Sequence, residues 1–144
     1  MLIGLDTLLS PDLLHALAAM GHGDRIVLVD ANYPATRGRR LITLPGIDVD
    51  RALAAVLSVL PCDSYVPHPA AIMQVVGDAT AVPPVVSAMN TLLIAHGWPA
   101  AVGIARHDFY AAAEGAYAIV QTGERRLYGN ILLTKGVIPP EGLQ

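Results

Sequence analysis

The stretch Gly21-His22-Gly23-Asp24-Arg25-Ile26-Val27-Leu28-Val29-Asp30-Ala31-Asn32-Tyr33-Pro34 decides how the rest of the chain is read. Its centre, residues 26–29, is an unbroken apolar run rich in β-branched side chains. It is too short for a helix and apolar toward both faces of a pleat, so it reads as a strand buried from both sides. Asp30 stands at its C-terminal end, and Asn32 and Pro34 turn the chain into a loop. A strand of this kind requires helices over both faces of its sheet, which sets the fold class before any other element is placed.

Upstream, Ser10-Pro11 supplies an N-cap hydroxyl and a proline at N1, and Leu13, Leu14, Leu17 and Ala18 make one apolar face, so a helix runs from there to Gly21. Downstream, residues 31–40 read as a loop, 41–44 as a strand and 49–60 as a helix with Asp48 near its start. Pro61, Pro67 and Pro69 make the next stretch irregular. Strands are predicted over 71–76, 101–104, 116–121 and 130–133, with helices from Pro83-Pro84 to residue 95 and over 108–114. The alternation predicts an α/β chain, a three-layer α/β/α arrangement with a mixed, mostly parallel sheet of about six strands, residues 1–144 forming one domain. The last two strands, joined by a turn containing Gly123 and Gly129, read as a hairpin, and that antiparallel pair is what makes the sheet mixed.

Of the 144 residues, 53% are hydrophobic and 15% charged. Pro, Gly or a charged residue breaks every apolar run before about 18 residues, so no bilayer span is expected. The first twenty residues carry Asp6 and Asp12 and no signal-peptide pattern, which predicts a cytoplasmic protein. So much apolar surface predicts a homo-oligomer. Cys62 stands alone and reads as a small buried side chain. With a net charge of −3 and nine scattered Lys and Arg residues, no nucleic-acid partner is expected. The one basic cluster, Arg37, Arg39 and Arg40, reads as a solvated loop or a contact to an anion or another subunit.

Common nucleotide, serine-hydrolase and zinc signatures are absent, and His15, His22, His68, His96 and His107 lack the spacing of metal ligands, so neither metal nor cofactor is expected. Three segments remain. His22 between two glycines is either a cap on the last carbonyls of the first helix or an accessible general acid or base. Asp30 is either an Asx turn or a ligand-binding carboxylate just past the end of a strand. Tyr128-Gly129-Asn130 is either a hairpin turn or a set of polar groups suited to sugar hydroxyls.

At these residues the chain resembles the L-fucose mutarotase and D-ribose pyranase family almost end to end. The resemblance rests on Leu8-Leu9-Ser10-Pro11, Gly21-His22-Gly23-Asp24, Asp30-Ala31-Asn32-Tyr33-Pro34, Thr122-Gly123-Glu124 and Tyr128-Gly129-Asn130-Ile131-Leu132-Leu133, in the family's order and at about its spacing. Residues 61–100 match only loosely. Arg106, where ribose-type members carry His, resembles the fucose branch. The resemblance implies His22 as proton donor, Asp30 and Arg106 as substrate-binding residues, and Tyr128, Gly129 and Asn130 completing the pocket. It also implies a homo-oligomer, a decamer of two pentamers, with sites near subunit contacts. The implied activity is interconversion of the anomers of a free monosaccharide, L-fucose or a related sugar, by acid-base ring opening. D-Ribose pyranase activity and a non-catalytic sugar-binding role are the alternatives. Tyr33 or Met73 is expected to supply an apolar wall for the fucose methyl group.

Overall fold

The computed structural model describes residues 1–141, in which six strands form one sheet in the order β2-β5-β1-β6-β3-β4. They are β1 (Arg25–Val29), β2 (Leu41–Leu44), β3 (Ala70–Met73), β4 (Val102–Ile104), β5 (Ala118–Thr122) and β6 (Ile131–Thr134). β1 pairs in parallel with β5 and antiparallel with β6, β6 is antiparallel to β3 as well, and the β2–β5 and β3–β4 pairs are parallel. Five strands therefore run one way, and β6 alone runs against them.

The sheet is mixed, as the sequence predicts, but the predicted hairpin does not form. β5 is already paired along both sides, by β1 and β2, so it has no free edge for β6. The 123–130 connection instead steps over the end of β1, a shift of two strand spacings or about 10 Å. β6, with all four residues buried, joins the two parallel halves of the sheet.

The faces divide according to the period-two alternation of each strand. Ile26 and Leu28 of β1 point toward α1 (Pro11–Ala19), α2 (Val49–Leu57) and α3 (Pro84–Ala95), sharing a core with Leu13, Leu53, Val56, Met89 and Leu93. Val27 and Val29 point the other way, toward α4 (Arg106–Glu114) and a short 3₁₀ turn (Ala35–Arg37), and pack with Tyr33, Phe109 and Ala113. Ser10 caps α1 as predicted, its hydroxyl accepting from the Leu13 amide at 3.3 Å. Boundaries shift elsewhere. α2 stops at Leu57, α4 starts at Arg106, and β3 stops at Met73 because Val75 and Asp78 bridge across a tight turn. No helix among the described residues is long and apolar enough to cross a membrane.

This polarity sorts the chemistry into two places. The C-terminal ends of β1, β3, β4 and β5 share one sheet edge with the start of β6, and Asp30, Arg106 and Asn130 lie there. The opposite edge holds His22 before β1, the loop before β3, and Lys135 after β6.

Candidate functional site

Past the C-terminal strand ends lies a cavity of about 190 Å³. That is below the roughly 300–1,000 Å³ of sites for drug-sized ligands and suits a single sugar ring. Asp30, Asn32, Arg106, Tyr128 and Asn130 give it polar groups, while Tyr33, Met73, Val76, Tyr110 and Leu127 give it an apolar side.

Asp30 is the best-fixed polar group in the cavity. Asn130 grips it twice: the carboxamide oxygen accepts from the Asp30 amide at 2.9 Å, and the carboxamide nitrogen donates to Asp30 Oδ2 at 3.1 Å. Asp30 Oδ1 accepts from the Asn32 amide at 2.9 Å, so the Asx turn is present in the same residue that faces the cavity. Only 5% of Asp30 is exposed, and burial pushes its carboxyl above the usual carboxylate value, against the pull of these hydrogen bonds. Burial also raises the Tyr33 phenol, and Tyr33 packs 5.4 Å from Tyr110 and edge-on to Phe109 at 6.2 Å, which makes a rigid aromatic wall.

Tyr128 has φ 69°, unusual for a bulky residue, and its hydroxyl accepts from the Val76 amide at 3.1 Å. Strain of this kind persists only where surroundings over-determine it. Here the surroundings are a buried acid that the sequence reading gave no role. A Cβ on Gly129 would stand 2.7 Å from Glu124 Cγ, so only glycine lets the backbone lie on that side chain. Glu124 accepts from the Arg126 amide (2.7 Å) and guanidinium (2.9 and 2.7 Å) and from the Val49 amide (3.3 Å), while its carbonyl accepts from the Ala31 amide at 2.9 Å. Those bonds, Arg126's first, hold its carboxyl down at about 2. Glu124 thus ties both cavity loops, 30–33 and 128–130, to α2. The signal was its place in Thr122-Gly123-Glu124, a segment whose purpose is visible only once β5 and the two loops converge.

His22 lies elsewhere. It precedes β1 whereas Asp30 follows it, and the five residues of that strand put roughly 17 Å between the two ends. Within one chain the structure brings Asp30, Arg106, Tyr128 and Asn130 together, with Gly129 buried behind them, and places His22 at the opposite edge. A cavity shared by His22 and Asp30 therefore cannot form within one chain and requires a second copy.

His22 is not a helix cap either. Lys135 does that, donating to the carbonyls of Leu17 at 2.7 Å and Met20 at 2.6 Å. Instead His22 Nε2 lies 3.1 Å from Asp63 Oδ1, with 45% of the imidazole exposed and 1% of the carboxylate. Asp63 Oδ1 also accepts from the Tyr65 amide at 3.0 Å, and the Tyr65 ring lies 5.4 Å from the imidazole. Asp63 falls in the segment where the family resemblance is loosest, and no periodicity marks a loop acid.

The other histidines are dispersed. His15 Nδ1 meets Arg40 at 2.8 Å, His96 Nδ1 meets the Leu92 carbonyl at 2.9 Å, and His107 lines a groove beside Arg106. Among the described residues no three metal-binding side chains gather. A larger groove of about 410 Å³, walled by Leu5, Leu14, Leu17, Val59 and Ile138, has Lys135 as its charged group, and that ammonium is taken up by helix capping.

A family model described as the RbsD / FucU transport protein family matches residues 3–138. The chain belongs to this family. Among its relatives, the fucose mutarotase of Bos taurus is 42% identical over 147 residues, 97% of this chain and 96% of that protein. The L-fucose mutarotase of Haemophilus influenzae (strain 86-028NP) is 42% identical over 142 residues, 96% and 99% of the two chains. The crystal structure of the fucose mutarotase in complex with L-fucose from Streptococcus pneumoniae superimposes with a TM-score of 0.90 at 40% identity, covering 96% of this chain and 100% of that one. This RbsD/FucU chain thus falls with the fucose mutarotases, and the cavity of this RbsD/FucU protein holds a buried carboxylate, further polar side chains and an apolar side.

Proposed function

We propose that the protein is a mutarotase of a free monosaccharide, L-fucose in first place, and that each active site is assembled from the Asp30 cavity of one copy and the His22 edge of another. The observation that carries this reading is the buried Asp30–Asn130 pair at the end of β1, in a cavity the size of one sugar ring.

Anomer exchange needs the anomeric hydroxyl to lose a proton while the ring oxygen gains one. The C1–O5 bond then opens, the aldehyde turns about C1–C2, and the ring recloses. Asp30, made more basic by burial, takes the anomeric proton. The His22 imidazole of a neighbouring copy protonates the ring oxygen. Arg106 and Tyr128 hold hydroxyls, and Met73, Val76 and Tyr33 face the C5 methyl of a 6-deoxy sugar. Reclosure returns both protons, so nothing is consumed. Acid-base help of about 10²–10⁴-fold is enough for a reaction that already runs in water.

Exposed apolar side chains at both edges support assembly: Tyr65 and Val66 beside His22, Val76 and Leu127 at the rim of the cavity. Two different surfaces that fit one another generate rings. The reading includes the decamer of two pentamers implied by the family resemblance, working in the cytoplasm.

The test is subunit mixing. His22→Ala and Asp30→Asn each abolish excess anomer exchange of L-fucose in NMR saturation transfer. Co-refolded in equal amounts, they restore about a quarter of the sites, since random partners pair an intact edge with an intact cavity that often. No recovery on mixing would end the shared-site reading. A D-ribose sample run alongside, showing pyranose–furanose exchange faster than fucose anomer exchange, would move the assignment to the pyranase.

A further inference from the structure

Asp63 stands out among the buried acids because the side chain it faces is an imidazole, which can both donate and accept a hydrogen bond. Glu124 is enclosed by Arg126 and backbone amides and acts on the fold; Asp63, 1% exposed, faces an imidazole that is 45% exposed. The loop carrying it is fixed in two ways. Cys62 bridges Lys135 in antiparallel fashion, with the Gly136 amide donating to the Pro61 carbonyl at 2.9 Å. A Cβ on Gly136 would stand 2.1 Å from the Cys62 carbonyl oxygen, so the two backbones touch. On the other side, the Gly23 amide donates to the Lys135 carbonyl at 2.9 Å. One short segment, 135–136, therefore locks both the loop of Asp63 and the turn of His22 to the end of β6.

We infer that Asp63 is a positioning residue that keeps the proton on His22 Nε2, so that Nδ1 is the atom that exchanges protons with the sugar. A carboxylate offers only lone pairs, so the imidazole nitrogen facing it must carry hydrogen whether the ring is neutral or protonated. With Nε2 occupied, the free valence lies on Nδ1, directed away from the buried acid. In the ring-opening step the Nδ1–H bond breaks as the O5–H bond forms, C1–O5 breaks, and the anomeric proton passes to Asp30. The imidazolium becomes the Nε2–H tautomer, which Asp63 stabilises over the alternative, and reclosure reverses each transfer. Tyr65, whose amide donates to the same Asp63 oxygen, fixes that carboxylate's orientation and sets its own ring against the imidazole.

This inference rests on the mutarotase reading for its catalytic half only, and the experiment separates the two. Long-range ¹⁵N–¹H correlation on histidine-labelled protein without sugar should show the neutral imidazole of His22 protonated at Nε2 and bare at Nδ1. In Asp63→Ala both tautomers should appear, and kcat for anomer exchange should fall roughly tenfold to a hundredfold with KM near that of the wild type. Asp63→Asn keeps an acceptor for the Tyr65 amide. It should fold and assemble as the wild type does, retain Nε2–H through its carboxamide oxygen, and keep kcat much nearer the wild type than Asp63→Ala does. A wild-type spectrum in which the neutral imidazole carries its proton on Nδ1 and is bare at Nε2 would overturn the inference whatever the rates. So would Asp63→Ala with unchanged tautomer and unchanged kcat, or Asp63→Asn that retains Nε2–H yet loses as much kcat as Asp63→Ala. A wild type that catalyses no exchange, yet shows the Nε2–H tautomer that Asp63→Ala loses, would remove the mutarotase reading while supporting the anchoring role of Asp63.

Discussion

Two buried carboxyls near the cavity pull stability in opposite directions as pH changes. Glu124 falls from an ordinary 4.5 to about 2 because Arg126 and two amides favour its charged form. A carboxyl with a lowered value stabilises the fold fully above its unfolded value and loses that contribution as pH falls toward the folded one. Asp30 is the reverse: its raised value means that ionisation costs stability, progressively, as pH rises above its ordinary 3.8. The wild-type melting temperature should therefore drop between pH 4.5 and about 2. Glu124→Gln should melt lower at neutral pH and lose most of that acid limb. Calorimetry from pH 2.5 to 7 checks this, and an acid limb as steep in the variant as in the wild type would assign it to other groups. In the proposed site the pairing has a functional sense: Glu124 braces the loops so that Asp30 can sit, charged and costly, beside the sugar.

At the scale of elements, β1 was legible because four consecutive apolar residues admit few alternatives, and the caps of α1 because Ser10 and Pro11 act locally. What the sequence hid was partnership across long separations. β5 and β6 follow one another closely, and proximity suggests a hairpin, but the pairing of β5 with β1 and β2 decides otherwise. Asp30, Tyr128 and Asn130 could be chosen from residue chemistry and their places at strand ends. That His22 lies at the far end of β1 follows from counting residues along a strand, whereas Asp63 becomes visible only when β6 brings the 61–65 loop beside the Gly21–Gly23 turn. Lys135 is the hinge of that arrangement. It extends β6, bridges Cys62 and caps α1 through the carbonyls of Leu17 and Met20. Lys135→Met keeps the apolar stem and removes the donors, which should cost about 1–3 kcal/mol for carbonyls left unsatisfied. The urea midpoint should fall, with an unchanged m-value marking a change in stability rather than in compactness. A midpoint equal to the wild type would show that water serves those carbonyls as well as the ammonium does.

For the whole molecule, the proposed split site ties the excess of apolar residues to one surface. Exposed apolar groups lie at both edges that the proposal joins: Tyr65 is 75% exposed beside His22, and Val76 and Leu127 are 56% and 65% exposed at the cavity rim. A chain with 15% charged residues has little else to keep such patches in water, so a second copy is the natural cover. In the proposed assembly, covering them by heterologous contact also delivers an imidazole to a cavity whose described lining has none. Assembly and catalysis then share one surface, and one substitution should affect both. Leu127→Asp adds a charge at the rim without touching the core, since its side chain is exposed in the single chain. Light scattering should show the assembly falling to smaller species, circular dichroism should stay that of the folded chain, and fucose anomer exchange should drop to the uncatalysed rate. Restored exchange on adding excess His22→Ala, whose cavity face is intact but whose edge lacks the imidazole, would require the Leu127→Asp chain to donate its own His22. That donation uses the opposite edge, which the substitution leaves alone. The variant should thus be rescued as a donor and never as an acceptor, and equal rescue in both directions would place Leu127 outside the contact.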